Sequence, residues 1–216
     1  TGVQTCALPI FITGALYKAL QCTGSLEFRG VQAQVGEVVA WRNLFWSLTD
    51  AMYGNASEWY SGAFLPSAEA LQAYRVLAPQ AYPEIKKTIE QVVASGLIYL
   101  PSGVRDLHNP QLDKYLSTYC RGSGGMGHRE RIKILKLLWD AIGSEFGGRH
   151  ELYEINYAGS QDEIRMQALR QAVGSGAMKG MLGMVEQCMG DYDENGWTVP
   201  HLHNPDDINV LDRIRQ

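Results

Sequence analysis

The stretch Ala141-Ile-Gly-Ser-Glu-Phe-Gly-Gly-Arg-His-Glu-Leu-Tyr-Glu154 sets paired glycines, a serine, an arginine and a histidine between two helical patterns. Paired glycines cost a helix about 1 kcal/mol each relative to alanine, so they mark a place where another group approaches the backbone closely. Ser144 offers a hydroxyl donor, Gly147 and Gly148 offer room, and Arg149 offers paired charge-assisted bonds to a phosphate. These are parts of a site for a phosphate-bearing cofactor, and a tight helix–helix crossing accounts for the glycines equally well. A helix starting after Gly148 would add free amides and a positive dipole end to the attraction for an anion. A helix running through the stretch would leave the side chains to act alone.

The other constellations are weaker. Gly122-Ser-Gly-Gly-Met-Gly127 satisfies G-x-G-x-x-G, but a dinucleotide fingerprint follows a strand and here a helical pattern precedes it, so an interhelical turn is expected. His150-Glu-Leu-Tyr-Glu154 has a glutamate where a zinc-protease helix needs its second histidine, and no metal is expected there. His201-Leu-His203 with Asp206 and Asp207 lacks a third placed ligand, and surface cover is the better reading. Cys6, Cys22, Cys120 and Cys188 show no CxxC spacing and read as reduced thiols. No Ser-His-Asp or Cys-His arrangement appears, so no catalytic residue is assigned within the chain. Met178, Met181, Met184 and Met189 read as helix packing rather than a cofactor box.

Composition narrows the class. With 216 residues, 45% hydrophobic and 19% charged, the chain suits one folded domain with appendages. The net charge of −4, with no basic run longer than Lys86-Lys87, argues against a nucleic-acid partner. No apolar run approaches the ~20 residues of a membrane span, so no membrane is expected and the cytoplasm is the simplest compartment. Thr1-Gly-Val-Gln-Thr-Cys-Ala-Leu-Pro-Ile10 resembles the translation of a sequencing-library adapter and is set aside as non-native. The chain then reads as a fragment of a longer protein.

The elements that must position these residues are helical. From Leu16 to Met52 apolar residues recur at three- and four-residue steps, predicting one long or slightly broken amphipathic helix that ends at Gly54-Asn55. Trp59 to Pro66 reads as an aromatic loop, followed by a helix from Ser67 that Pro79 and Pro83 kink or divide near Ala78. Leu97 to Pro101 reads as extended, and Pro110 to Tyr119 as a short helix. A strong helix begins near His128, with Ile132, Leu135, Leu138, Trp139 and Ile142 as its buried stripe and Leu137 broadening it. Ser160-Gln-Asp-Glu163 has the form of a capping box starting a helix to Gly174, and another follows through Met178, Met181, Leu182, Val185 and Cys188. The expected architecture is an all-α helical bundle over 11–195, with an extended strap and short helix over 196–216.

Arg131 to Tyr157 and Gly196-Trp-Thr-Val-Pro-His-Leu-His203 resemble the two-component, FADH2-dependent phenol hydroxylase family of the 4-hydroxyphenylacetate 3-monooxygenase type. So do Lys18-Ala-Leu-Gln-Cys-Thr-Gly24, Gly36-Glu-Val-Val-Ala-Trp-Arg42 and Ser95-Gly-Leu-Ile-Tyr-Leu-Pro-Ser102. The resemblance covers Phe11 to the C-terminus. It implies the C-terminal helical bundle of an acyl-CoA dehydrogenase-like fold, which also mediates homo-oligomerisation. It implies a parent monooxygenase that uses O2 and FAD, supplied as FADH2 by a separate flavin reductase, to hydroxylate a phenol ortho to its hydroxyl and give a catechol. The family's C-terminal flavin contact falls on Ser144, Glu145, Phe146 and Gly147, with Gly148 and Arg149 as neighbouring candidates. The family's substrate-binding residues lie in domains upstream, so the chain alone is expected to be inactive. The alternatives are a non-catalytic helical interaction module and a fragment of a 4-hydroxybutyryl-CoA dehydratase-like enzyme, the latter disfavoured by the absence of clustered cysteines.

Overall fold

Apolar residues at helical spacing build a helix until a residue in the left-handed region or an unsatisfied turn stops it. A computed structural model describes residues 2–190, 192–193 and 196–197, with side chains over 9–190. The described residues form α1 (Gly2–Thr23), α2 (Arg29–Gly54), α3 (Ala68–Val93), α4 (Arg105–His108), α5 (Pro110–Tyr119), α6 (His128–Ile142), α7 (Glu145–Asn156), α8 (Gln161–Gly174) and α9 (Ala177–Gly190). Two small antiparallel hairpins accompany them, β1 (Ser57–Tyr60) with β2 (Ala63–Leu65), and β3 (Tyr192–Asp193) with β4 (Gly196–Trp197). The chain divides into two compact units, residues 1–168 and 169–216.

In the first unit α1 packs on α2 and α6, α2 on α3, and α7 on both α3 and α6. Leu16 and Leu20 of α1, Val38 of α2, Ile89 of α3, and Leu135, Leu138 and Ile142 of α6 are almost wholly buried in the core between them. Each such side chain contributes about 1.5–3 kcal/mol relative to exposure. Arg75 of α3 adds a polar clamp, donating to the carbonyl of Ala158 at 2.8 Å and to Gln167 Oε1 at 2.7 Å.

Several expectations need correction. The long N-terminal stripe is two helices, because Gly24 takes φ 76° and a 3-10 turn over Ser25–Glu27 redirects the chain. The aromatic loop is hairpin β1–β2, closed by Ser61 and Gly62 at φ 45° and 80°, as a two-residue hairpin turn requires. Leu97 to Pro101 is not extended: it pairs with no strand among the described residues, and the amides of Ile98 and Tyr99 bond back to the carbonyl of Ser95. Helix α3 runs undivided through Pro79 and Pro83. On α6 Ile132, Leu135, Leu138 and Ile142 are buried as expected and Ile134 joins them, while Trp139 and Leu137 are 40% and 45% exposed. The reason is that α6 is covered by α1 on one side and by the 3-10 turn Ala94–Leu97 on another, which rotates the buried face away from Trp139.

The second unit holds the end of α8 and all of α9, separated by Gly176 at φ 84°. Helix α9 buries no residue and exposes Met181, Leu182, Met184, Val185 and Met189. The expected strap beyond Trp197, with His201, His203, Asp206 and Asp207, lies outside the described residues.

Candidate functional site

Helix α7 begins at Glu145, ahead of both glycines, with Ser144 in extended backbone as its N-cap. Ser144 Oγ accepts from the Gly147 amide at 3.1 Å and donates to the Asp140 carbonyl at 2.7 Å, locking the end of α6 to the start of α7. The Gly148 amide bonds the Ser144 carbonyl at 2.9 Å. The amides of Glu145 and Phe146 have no acceptor among the described residues, so two donors at the positive end of the helix dipole remain free.

The two glycines separate in role. A Cβ on Gly147 would stand 2.9 Å from the Ala141 carbonyl oxygen and 3.0 Å from the carbonyl carbons of Ala141 and Ile142. Gly147 is therefore the helix crossing. Nothing lies within 4 Å of a Cβ built on Gly148, which faces open space. Of the six candidates, Ser144 and Gly147 are engaged in joining α6 to α7, and Glu145, Phe146, Gly148 and Arg149 line the open side. Phe146 is 75% exposed and its ring stacks on His150 with centroids 6.2 Å apart. Tyr153 and Tyr157 continue that row. Arg149 donates to Glu145 Oε1 at 2.6 Å, and both side chains stand in solvent.

The inner side of α7 is pinned to α3 through the His150–Glu154 stretch, by contacts that the sequence reading did not foresee. Lys86 reaches Glu151 at 2.6 Å, with both side chains about three-quarters covered. His150 Nε2 lies 3.4 Å from Glu154 Oε1, and the Tyr82 ring meets His150 edge-on. Burial pushes the Tyr82 phenol up to about 12, and the nearby carboxylates of Glu151 and Glu154 add to the shift. Burial also raises Glu154, against the lowering effect of His150. Tyr82 and Lys86 sit one turn apart on α3, which is the only signal the sequence carried; the helix they face is set by the fold.

The glycine-rich segment before α6 is an interhelical turn, as expected, with Gly124 and Gly125 at φ 62° and 83°. The Ser123 amide bonds the carbonyl of Cys22 at 2.7 Å, tying the turn to the end of α1. His150 and Glu154, the ends of the H-E-x-x-E stretch, face one another.

Residues 2–186 match the family model described as 4-hydroxyphenylacetate 3-hydroxylase C terminal (HpaB). The chain is 98% identical over 206 residues to the 4-hydroxyphenylacetate 3-monooxygenase oxygenase component of Pseudomonas aeruginosa, covering 95% of this chain and 40% of that protein. It is 68% identical over 204 residues to the oxygenase component of Escherichia coli, covering 94% of this chain and 39% of that one. It thus spans about two-fifths of the length of these relatives. A crystal structure of an oxygenase component complexed with FAD and 4-hydroxyphenylacetate superposes with a TM-score of 0.73 at 25% identity, over 84% of this chain and 38% of that chain. An archaeal 4-hydroxybutyryl-CoA dehydratase from N. maritimus shares the fold, with a TM-score of 0.75 at 16% identity over 98% of this chain and 40% of that one. The all-α bundle is therefore shared with the matched part of these neighbours, and the chain belongs to the 4-hydroxyphenylacetate 3-hydroxylase (HpaB) family, as its C-terminal part.

Proposed function

We propose that the chain is the flavin-contacting helical bundle of an FADH2-dependent monooxygenase that converts 4-hydroxyphenylacetate, or a closely related phenol, to a catechol. The observation that carries this reading is the 98% identity across 206 residues to the P. aeruginosa oxygenase component. The start of α7 fits the cofactor on its own geometry: two free amides, an open backbone at Gly148 and an exposed aromatic face at Phe146. Reduced FAD, when bound, supplies the electrons with which O2 is activated for insertion into the phenol ring. The chain's own contribution is to bind and orient. The Glu145 and Phe146 amides suit an oxygen of the flavin side chain. The Glu145 carboxylate repels phosphate and suits the ribityl hydroxyls, while Arg149 holds that carboxylate in place. Phe146 offers a flat surface that keeps water from one side of the ligand.

A cytoplasmic parent supplied by a separate reductase follows from the same family reading, and no helix among the described residues is long and apolar enough to cross a membrane. Homo-oligomerisation is supported by the apolar face of α9, which a second copy would cover. The bundle alone is expected to be inactive, with the acid-base groups for the phenol on upstream domains. The test is to express the full-length protein carrying this chain, supply FADH2 and O2, and measure catechol formation from 4-hydroxyphenylacetate. Absence of hydroxylation across simple phenols overturns the reading. An Arg149→Ala variant with unchanged FAD affinity removes Arg149 from the contact.

A further inference from the structure

Phe146, His150 and Tyr153 stand at i, i+4 and i+7 on α7 and therefore share one face. The His150 ring lies between the other two, with centroids 6.2 Å from each and interplanar angles of 15° to Phe146 and 26° to Tyr153. Phe146 is 75% exposed, so its orientation depends on that stack. The other edge of His150 is covered: Nε2 stands 3.4 Å from Glu154 Oε1 and makes no hydrogen bond among the described residues. Only 12% of the Glu154 side chain is exposed. One imidazole thus joins an exposed aromatic ring to a covered carboxylate. The surrounding groups leave that carboxylate to His150. On α3, Lys86 is taken by Glu151 at 2.6 Å, and the Tyr82 ring meets His150 edge-on while its hydroxyl donates to the Ala141 carbonyl of α6 at 3.4 Å. On α7, Arg149 is paired with Glu145. Around Glu154, Ile12 of α1 and Phe45 of α2 are apolar, and Tyr74 and Ile85 come from α3. The Tyr82 phenol is pushed up to about 12 and that of Tyr153 is raised by burial, so both stay neutral near pH 7.

A neutral imidazole gives the Glu154 carboxylate at most a dipole, whereas one bound proton turns the 3.4 Å contact into a charge-assisted pair. Burial raises Glu154 against the lowering effect of His150, which marks a carboxylate short of a positive partner. An imidazole ordinarily binds a proton more tightly than a carboxylate, so the first proton taken up sits on the ring. The charged ring then also attracts the faces of Phe146 and Tyr153 as a cation–π contact. We propose that His150 is a positioning residue for the ligand at the start of α7: proton uptake beside Glu154 clamps the Phe146 ring, and binding at that face tightens as pH falls. The inference rests on the proposed flavin contact and adds a proton linkage to it. Its energetic basis is preorganisation, since an exposed ring that is already held loses less freedom when a ligand packs on it.

The test uses the full-length protein carrying this chain. In a Phe146→Trp variant the indole takes the place stacked on His150, where an imidazolium quenches its emission, and the same variant with His150→Gln subtracts every other tryptophan. Emission from residue 146 is expected to fall as pH is lowered from 8 to 6. Adding Glu154→Gln is expected to move that fall to lower pH by about one unit, the effect of losing a nearby carboxylate. A difference that does not change with pH overturns the proposal. Oxidised FAD, which titrates no group of its own over this range, is then bound to the protein with Phe146 intact. Its affinity is expected to rise by about two- to fivefold from pH 8 to pH 6, the size of one exposed cation–π contact, and to stay flat in His150→Gln. Circular dichroism checks that variant's fold, and Glu154→Gln, which keeps the imidazole, is expected to show a smaller rise than the parent. An equal rise in the parent and both variants overturns the proton linkage. FAD binding without any His150-dependent quench overturns the inference and leaves the flavin contact standing. A His150-dependent quench in a protein that binds no FAD keeps the clamp and removes the flavin reading.

Discussion

Replacing Gly147 and Gly148 separately by alanine isolates the helix crossing from the open face. Both positions lie in the first turns of α7 with ordinary helical backbone, so both variants gain the same propensity term, up to about 1 kcal/mol. Their difference is then packing alone. The new Cβ at 147 meets the Ala141 carbonyl oxygen at 2.9 Å, where ordinary contact begins at 3.4 Å, so α7 must retreat from α6 by about 0.5 Å. The obstacle is backbone on both sides and cannot rotate away. Overpacking of this kind costs about 1–3 kcal/mol, whereas the Cβ at 148 meets nothing. Urea denaturation of the two variants in the full-length background is expected to place Gly147→Ala below Gly148→Ala in stability by about 1–3 kcal/mol. FAD titration is expected to give the opposite ranking, with Gly148→Ala binding more weakly because its methyl occupies the space left for the ligand. A stability difference below about 0.5 kcal/mol would refute the crossing. Unchanged FAD affinity in Gly148→Ala would refute close ligand approach at that residue.

Lys86→Met leaves Glu151 partly buried without its 2.6 Å partner and is expected to cost about 1–2 kcal/mol in chemical denaturation, between the values of exposed and fully buried pairs. Glu154 has a folded-state pKa raised by burial above its usual 4.5, so its unfavourable ionisation stabilises the unfolded chain once pH rises past that value. Glu154→Gln is therefore expected to gain stability over the parent at pH 7 and to match it near pH 4; an equal effect at both would contradict the burial argument. Asp113 is held below its usual range first by the His128 hydrogen bond and also by Arg129. The tie between α5 and α6 is accordingly expected to persist at pH 4 and to fail only as pH drops further, read by amide exchange along α5. Cys22 is buried and its thiol is pushed up by burial, whereas Cys188 is exposed, so alkylation at pH 8 followed by peptide mass mapping is expected to label Cys188 well before Cys22.

Much of the helical layout was legible because it is written in neighbours along the chain. Ser67 and Asn109 cap α3 and α5 with their own side chains, Gly54 closes α2, and the turn before α6 carries Gly124 and Gly125 where positive φ is needed. Leu97 to Pro101 was misread because a short apolar run has no period of its own, and its fate depended on whether a partner strand existed. Trp139 was misassigned because a helix with apolar residues on more than one side can be buried on any of them, and α1 and the Ala94–Leu97 turn chose the side. At the candidate site the residue types were plain, but the meaning of the paired glycines was not.

The sequence by itself determined the helical class, the family, and the stretch from Ser144 to Arg149 as the place to look, since period, caps and motif are local properties of the chain. Only the tertiary structure decided that Gly147 packs against the end of α6 and Gly148 faces open space. It alone brought Lys86 to Glu151, 65 residues away, and set the Tyr82 ring against His150. Those pairings depend on which helix faces pack together, and that is fixed by burying the whole core at once rather than by any one segment.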